Sequence, residues 1–185
     1  PLYSSAASDV YKRQIEDDTV SFANKLTEIL RLHQVCNGFL KTDSGQYYGF
    51  KHNPKLAELL RILDEVSGKS IIWVTYVYNI EEIKSRLKAV YGKDSVVSIY
   101  GKDSVENREQ AVDAFQSDDR CRFLVGNPSV GGYGLTLTAA RNVIYFSNSY
   151  NLEVRKQSED RAHRIGQKNK VSYICLLYTS DAADE

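Results

Sequence analysis

The segment 157–167, QSEDRAHRIGQ, holds the side chains best suited to phosphate chemistry. Arg161 and Arg164 stand three positions apart, so on a helix they would share one face. A guanidinium is planar and permanently charged, and two of them together can grip a polyphosphate. The alternative is a solvated helix face on which these arginines pair with Glu159 and Asp160.

A second candidate site is the glycine-rich run 131–134, which follows a predicted strand. Gly132 and Gly134 have no side chain, so the backbone there can come close to a ligand. Successive N–H groups in such a run can also hold an anion. The alternative is a tight turn that connects the strand to the next element.

A third candidate, the run 67–70 with the sequence SGKS, looks like the end of a phosphate-binding loop. The full motif needs a glycine where Leu63 stands. The motif must also follow a strand and open a helix, whereas this run ends a predicted helix and enters a strand. We therefore interpret it as a helix terminus and loop.

The candidate residues need a scaffold, and the region 70–174 predicts one in which strands alternate with helices. Short, nearly continuous apolar runs predict buried strands, and helical spacing marks the segments between them. This alternation predicts an α/β fold with a parallel sheet and helices on both faces. Such sheets bind ligands at the carboxyl ends of their strands. The predicted strands are 70–76, 96–100, 121–125, 142–146 and 171–174, and the predicted helices are 79–90, 104–115 and 151–164.

Upstream of the sheet, the sequence predicts two helices separated by a loop. Apolar residues at helical spacing predict a helix over 19–33, and the glycine-containing segment 34–52 is interpreted as a loop. Asn53 and Pro54 predict a helix start, with asparagine as the N-cap and proline at the first helical position. Within the sheet region, Asn79 and a glutamate three residues later predict another helix cap.

Length and composition restrict the class of protein. A chain of 185 residues can bury a core without metals or disulfides, and 42% hydrophobic with 26% charged residues is ordinary for a globular domain. No apolar run is long enough to span a membrane. The 3 cysteines are far apart, which excludes a zinc ribbon and fits a reducing compartment. Because 24 basic residues balance 24 acidic ones, nucleic-acid binding must depend on local charge placement.

The two ends of the chain do not resemble natural protein sequence. Residues 4–14 and 175–185 have equal length, and one DNA sequence encodes both when it is read in opposite orientations. That DNA resembles the transposon adapter used in sequencing libraries. We therefore expect 1–14 and 175–185 to be adapter-derived. The segment 15–52 is then a helical lead-in and loop, and 53–174 is the α/β lobe, truncated from a longer protein.

The segment 157–167 resembles motif VI of the Swi/Snf family of DNA-dependent ATPases, within the second helicase superfamily. Supporting motifs occur in the family order. The segment 70–76 resembles motif IV, 124–137 resembles motif V, and 100–115 resembles the stretch between them. The resemblance covers nearly all of 26–174. The family's first lobe is missing, which we attribute to truncation.

The resemblance implies a fold and a mechanism. Such motors have two RecA-like lobes with ATP in the cleft between them, and this chain would be the second lobe. The first lobe would supply the phosphate loop, the Mg²⁺ ligands and the carboxylate that positions water. Arg161 and Arg164 would be arginine fingers that stabilise charge on the transferred phosphoryl group. Gly132, Gly134 and Gln157 would contact or position the nucleotide.

The resemblance also implies DNA as a partner, contacted mainly at its phosphates because a translocase must accept any sequence. Candidate contacts are Thr75, Lys102, Asn127 and Ser129, with turn capping as the alternative role for polar residues at strand ends. No metal ligand is expected on this chain, and the chain alone is expected to be inactive. A cytoplasmic, bacterial or phage-encoded protein without membrane association is the expected setting.

Three other functions stay open. An RNA helicase of the same superfamily is disfavoured by the AHRIGQ run and would differ in its preferred nucleic acid. A lobe that has lost catalysis would serve as a nucleic-acid or protein binding module, and the intact arginines argue against that. A stand-alone nucleotide-binding α/β domain would need a phosphate loop after its first strand, which the sequence lacks.

Overall fold

The computed structural model of the chain describes residues 13–15, 18–20, 24–132, 135–148, 151–164, 166–167 and 170–177. The chain divides into two compact units, Pro1–Glu58 and Leu59–Glu185. No helix within the described ranges has both the length and the apolar character needed to cross a membrane.

The described residues of the first unit form one complete helix and two antiparallel pairs of strands. In chain order its elements are β1 (Arg13–Ile15), β2 (Asp18–Val20), α1 (Lys25–Cys36), β3 (Phe39–Lys41) and β4 (Tyr47–Gly49). Two predictions are wrong here. The helix expected over 19–33 begins only at Lys25, because Asn24 caps it by accepting a hydrogen bond from the Thr27 amide at 2.8 Å. The segment 34–52 is not a plain loop, since β3 and β4 pair within it.

The second unit is built on a parallel sheet of five strands in the order β6-β7-β5-β8-β9. Its central strand, β5, pairs with β7 on one side and with β8 on the other. Helix α2 begins at Pro54, as predicted, within the first unit and continues into the second; the Asn53 Oδ1 accepts from the Leu56 amide at 3.1 Å. The strands are β5 (Lys69–Trp73), β6 (Val96–Ile99), β7 (Phe123–Gly126), β8 (Ala140–Tyr145) and β9 (Ser172–Cys175); the helices are α2 (Pro54–Glu65), α3 (Val77–Tyr91), α4 (Val105–Ser117) and α5 (Leu152–Glu159).

Helices cover both faces of this sheet. The chain moves in one direction along the sheet from β5 to β6, and in the opposite direction from β6 through β7 and β8 to β9. Since crossovers between parallel strands are right-handed, α3 lies on one face and α4 and α5 lie on the other. Packing agrees: Ile71 and Trp73 share a core cluster with Phe115 of α4, whereas the Phe123 ring meets Tyr91 of α3 with centroids 4.9 Å apart. The predicted α/β fold is confirmed.

Two predicted helix boundaries are wrong. Asn79 does not cap α3, because the helix begins earlier, at Val77. The Asn79 side chain is instead buried inside the helix and donates to Glu82 Oε2 at 3.2 Å. The helix expected over 151–164 ends at Glu159. The residues after it turn away, which changes how the arginines of this segment are presented.

The run 67–70 connects α2 to β5, so its interpretation as a helix terminus is confirmed. Lys69 does not face an open loop. Its Nζ donates to the Phe115 carbonyl at 2.6 Å and to the Asp118 carbonyl at 2.8 Å. The lysine therefore anchors the end of α4 to the start of β5.

Candidate nucleotide and DNA site

Arg161 and Arg164 lie in the turn after α5, beside the loop that leads into β8. The Arg161 carbonyl accepts a hydrogen bond from the Leu137 amide at 3.1 Å. Arg164 Nη1 donates to Thr136 Oγ1 at 3.0 Å. Two consecutive residues of one loop therefore hold the two arginines, which are presented from a turn and not from a helix face.

Arg161 combines burial with positive charge. It is 7% exposed, and its Nε has no hydrogen-bond partner among the described residues. Burial lowers the pKa of its guanidinium, and the positive charge of Arg164 lowers that pKa further. The alternative in which Glu159 neutralises Arg161 gains no support, since the Glu159 carboxylate pairs with Arg155 Nε at 2.7 Å. The surroundings of Arg161 thus favour a bound anion.

Helix α5, which delivers the arginines, is fixed to β8 by interlocking side chains. The hydroxyls of Tyr145 and Ser158 hydrogen-bond at 2.6 Å. The Arg155 guanidinium lies 3.4 Å from the centre of the Tyr145 ring, a cation–π contact, and its Nη1 donates to Asn148 Oδ1 at 2.7 Å. Asn151 caps the helix, as its Oδ1 accepts from the Glu153 amide at 2.9 Å. The turn after α5 therefore starts from a fixed position.

Gln116, at the end of α4, holds the loop before β8. Its Nε2 donates to the Thr136 carbonyl at 2.8 Å, and its Oε1 accepts from the Ala139 amide at 2.8 Å. Sequence reasoning missed this residue. No side-chain pattern could have revealed it, since its partners are backbone groups 20 and 23 residues further along the chain.

Three of the four candidate DNA contacts meet at the carboxyl end of the sheet. Thr75 follows β5, and Asn127 follows β7, where its Nδ2 donates to the Thr75 carbonyl at 2.9 Å. The Oδ1 of Asn127 accepts from the Ser129 amide at 2.8 Å. Ser147, which follows β8 and was not predicted, accepts from the Thr75 amide through its Oγ at 2.8 Å. These residues form one connected polar edge.

The remaining predicted residues lie around this edge or on α5. Lys102 is exposed in the turn after β6, the strand next to β7. Gln157 is exposed on α5, and its Nε2 donates to Glu153 Oε1 at 3.2 Å. Gly132 ends a short 3₁₀ helix that follows β7, and Gly134 lies outside the described residues.

The turn after α5 that carries Arg161 and Arg164 lies away from the polar edge. Gln167 Nε2 donates to the Ala140 carbonyl at 3.0 Å and to the Ala162 carbonyl at 3.1 Å. Ala140 is the first residue of β8, so this turn lies towards the amino end of that strand. The sequence predicted ligand-binding residues at the carboxyl ends of the strands. The candidate DNA contacts lie there, whereas Arg161 and Arg164 do not. Helix α5 runs back along β8, and the two arginines follow its end.

Among the described residues, no group of three or more His, Cys, Asp or Glu side chains could hold a metal ion. No chemical step is therefore assigned to a metal held by the described part of the chain. The donor set that it does present, two adjacent guanidiniums, fits the oxygens of a polyphosphate.

Comparisons with known proteins agree with this geometry. Residues 52–166 match the family model described as helicase conserved C-terminal domain. An uncharacterized ATP-dependent helicase of Mycoplasma genitalium is 31% identical over 179 residues, which is 95% of this chain and 17% of that protein. The chain thus spans about a sixth of the length of this curated relative.

Two solved structures share the fold. The C-terminal part of the Fun30 ATPase domain superposes with a TM-score of 0.65 and 25% identity, over 70% of this chain and 42% of that one. The SWI2/SNF2 ATPase core of Sulfolobus solfataricus, solved in complex with dsDNA, gives a TM-score of 0.66 and 25% identity, over 82% of this chain and 32% of that one. The RecA-like lobe implied by the sequence resemblance is confirmed. The chain therefore belongs to the helicase conserved C-terminal domain family, in its Swi/Snf branch.

Proposed function

We propose that this chain is the second motor lobe of an ATP-dependent, DNA-stimulated translocase or helicase, and that Arg161 and Arg164 act on the phosphates of ATP. The observation that carries the proposal is the buried Arg161 side chain, whose Nε has no partner among the described residues and whose positive charge is repelled by that of Arg164. Such a pair costs folding free energy, and a bound polyanion offsets that cost. The relatives are named ATP-dependent helicases, which supports ATP as the anion.

The mechanism follows from what each arginine can do. ATP supplies the phosphoryl group that is transferred, with Mg²⁺ expected from ligands on the first lobe. The backbone carbonyl of Arg161 is held by the Leu137 amide and the guanidinium of Arg164 by Thr136, so the turn that carries both side chains is fixed before the nucleotide arrives. As negative charge develops on the phosphoryl oxygens, oriented cations stabilise it without reorganising. Arginine fingers of this kind are worth on the order of 10³–10⁵ in rate.

The polar edge of the sheet is the proposed DNA track. Lys102 would pair with a phosphate, and Thr75, Asn127 and Ser129 would contact or shape the neighbouring backbone. The dsDNA in the complex of the Sulfolobus relative supports DNA as the partner. Both polar atoms of the Asn127 side chain already bind the protein backbone, so its role is to shape the edge.

The nucleotide assignments for Gly132, Gly134 and Gln157 rest on the family motifs. Gly132 and Gly134 would let the backbone after β7 pass close to ATP and DNA, and Gln157 on α5 would position the nucleotide or the other lobe. A cytoplasmic, bacterial or phage-encoded protein is the proposed setting, which the Mycoplasma relative supports.

The test uses the full-length protein with single substitutions Arg161→Ala and Arg164→Ala. We expect DNA-stimulated ATP hydrolysis to fall about 10³-fold or more, since each change removes a cation aimed at the transition state. The dissociation constant for DNA should change less than about threefold, because phosphate contacts lie elsewhere. Arg86→Ala, at an exposed position of α3, is the matched control and should leave both values unchanged.

Three outcomes would contradict the proposal. An equal loss of ATP hydrolysis and DNA binding would remove the arginines from the finger role. Mg²⁺-dependent hydrolysis by the pure 185-residue chain, abolished by Arg164→Ala, would show that the lobe needs no partner. Stimulation by RNA in preference to DNA would favour the RNA helicase instead.

A further inference from the structure

We propose that Gln116 is the positioning residue for both arginines, acting through the loop that precedes β8. This inference rests on the proposed function only for its effect on ATP hydrolysis. The structural part, that one glutamine side chain fixes the loop 136–139, stands on the geometry alone.

The first step is that Gln116 binds the loop 136–139 through two hydrogen bonds. Its amide group is used at both atoms: Nε2 donates to the Thr136 carbonyl at 2.8 Å and lies 3.5 Å from Thr138 Oγ1, while Oε1 accepts from the Ala139 amide at 2.8 Å. An amide side chain carries its donor and its acceptor on two separate atoms at one end, so it can bind a backbone carbonyl and a backbone N–H at the same time. The loop is thereby held at two points three residues apart, which fixes both its position and its orientation.

The second step is what the loop holds. Thr136 Oγ1 accepts from Arg164 Nη1 at 3.0 Å, and the Leu137 amide donates to the Arg161 carbonyl at 3.1 Å. Each arginine is therefore one hydrogen bond away from the segment that Gln116 fixes. A shift of this segment moves the Arg164 guanidinium directly, and it moves the backbone from which the Arg161 side chain projects.

The third step is that Gln116 itself stands on a rigid base. Its neighbour Phe115 is fully buried, and the Phe115 carbonyl accepts from Lys69 Nζ at 2.6 Å. Lys69 is the first residue of the central strand β5. The chain of contacts thus runs from the central strand through the end of α4 to the loop and then to the arginines. Positioning on such rigid elements is what a catalytic pair requires.

The test compares Gln116→Ala and Gln116→Glu with the matched control Gln110→Ala, an exposed glutamine on the same helix. In the full-length protein we expect Gln116→Ala to lower kcat for ATP hydrolysis on the order of 10- to 100-fold, since small displacements of a catalytic group have effects of this size. The KM for ATP and the dissociation constant for DNA should stay within about twofold. Gln116→Glu keeps the acceptor but sets a carboxylate oxygen against the Thr136 carbonyl, so its kcat should be no higher than that of Gln116→Ala.

A double-substitution cycle separates positioning from general damage. If Gln116 acts through the arginines, then adding Gln116→Ala to Arg164→Ala should lower kcat far less than it does alone. Full additivity of the two effects would overturn the proposal, as would an unchanged kcat in Gln116→Ala while Arg164→Ala is strongly impaired.

Amide hydrogen exchange of the 185-residue chain tests the structural part without any enzymatic activity. Gln116→Ala should speed exchange at the Ala139 amide about tenfold or more, because that N–H loses its acceptor, whereas Gln110→Ala should not. Unchanged Ala139 exchange would overturn the proposal. A third result is that exchange responds as expected but Arg164→Ala leaves ATP hydrolysis intact. The proposed function then fails, and the hydrogen bonds from Gln116 to the loop 136–139 have a structural role only.

Discussion

At the scale of single residues, Arg161 combines a positive charge with burial. Arg161 is almost fully buried, its Nε finds no partner among the described residues, and Arg164 adds a second positive charge. A buried charge without a counter-charge is destabilising, so natural proteins retain one where a ligand uses it. If Arg161 is held for a phosphate ligand, as proposed, then function and stability oppose each other at this residue.

Arg161→Met tests this opposition directly. Methionine keeps a long flexible stem and removes the charge, so we expect the free energy of unfolding of the chain to stay equal or to rise by about 1 kcal/mol. Urea unfolding followed by circular dichroism measures the change. The same substitution should abolish the arginine-dependent ATP hydrolysis of the full-length protein. A loss of more than about 1 kcal/mol would mean that Arg161 stabilises the fold and is not held for a ligand.

At the scale of elements, apolar runs predicted the strands because a parallel strand buried on both faces must be apolar throughout. The segments containing β5, β7 and β8 were found in this way. Helix ends were predicted less well, since they depend on which side chain reaches which backbone group. Asn79 has the type of an N-cap and is buried within α3 instead, and α5 ends five residues before Arg164.

The candidate site was likewise predictable where it depends on residue type, and not where it depends on contacts between distant parts of the chain. The types and spacing of Arg161 and Arg164 allowed phosphate binding or a solvated helix face, and the resemblance to motif VI favoured the phosphate role before any fold was known. The residues that orient them were not predictable, because Gln116 and Thr136 are ordinary polar residues until folding brings α4 to the loop before β8. The motifs of a family record the groups that touch ligands more strongly than the contacts that support them.

The contact between α5 and β8 predicts how stability depends on pH. Burial raises the pKa of Tyr145 to about 12, from an ordinary value near 10. As pH rises, the unfolded chain therefore releases the Tyr145 proton before the folded chain does. The contribution of this hydroxyl to the free energy of unfolding is complete below pH 10 and is lost as pH rises through about 12.

Tyr145→Phe should flatten this dependence. Phenylalanine keeps the ring beneath Arg155 and cannot ionise, so the fall in unfolding free energy between about pH 10 and 12 should become less steep, by at most about 1.4 kcal/mol per pH unit. The lost hydrogen bond to Ser158 should lower stability by about 1 kcal/mol at every pH. Urea unfolding at several pH values separates the two effects. Parallel pH profiles for the two proteins would refute the assignment.

At the scale of the whole molecule, DNA binding must depend on where the basic residues lie, because the chain has no excess of them. The chain carries 24 basic and 24 acidic residues, so it has no general attraction for DNA. Strand β6 illustrates the arrangement, because exposed lysines stand at both of its ends. Lys93 precedes the strand at its amino end, and Lys102 follows it at the carboxyl end, the side of the sheet on which Thr75 and Asn127 meet.

The salt dependence of DNA binding distinguishes these two lysines. Each phosphate neutralised by a protein cation adds about −0.9 to the slope of log K against log salt concentration for duplex DNA. If the carboxyl edge of the sheet is the DNA track, Lys102→Gln in the full-length protein should make that slope less steep by about 0.9. Lys93→Gln makes the same chemical change at the other end of the same strand and should leave the slope unaltered. Equal effects of the two substitutions would mean that DNA responds to the total charge of the lobe, and the track would then have to be sought on another face.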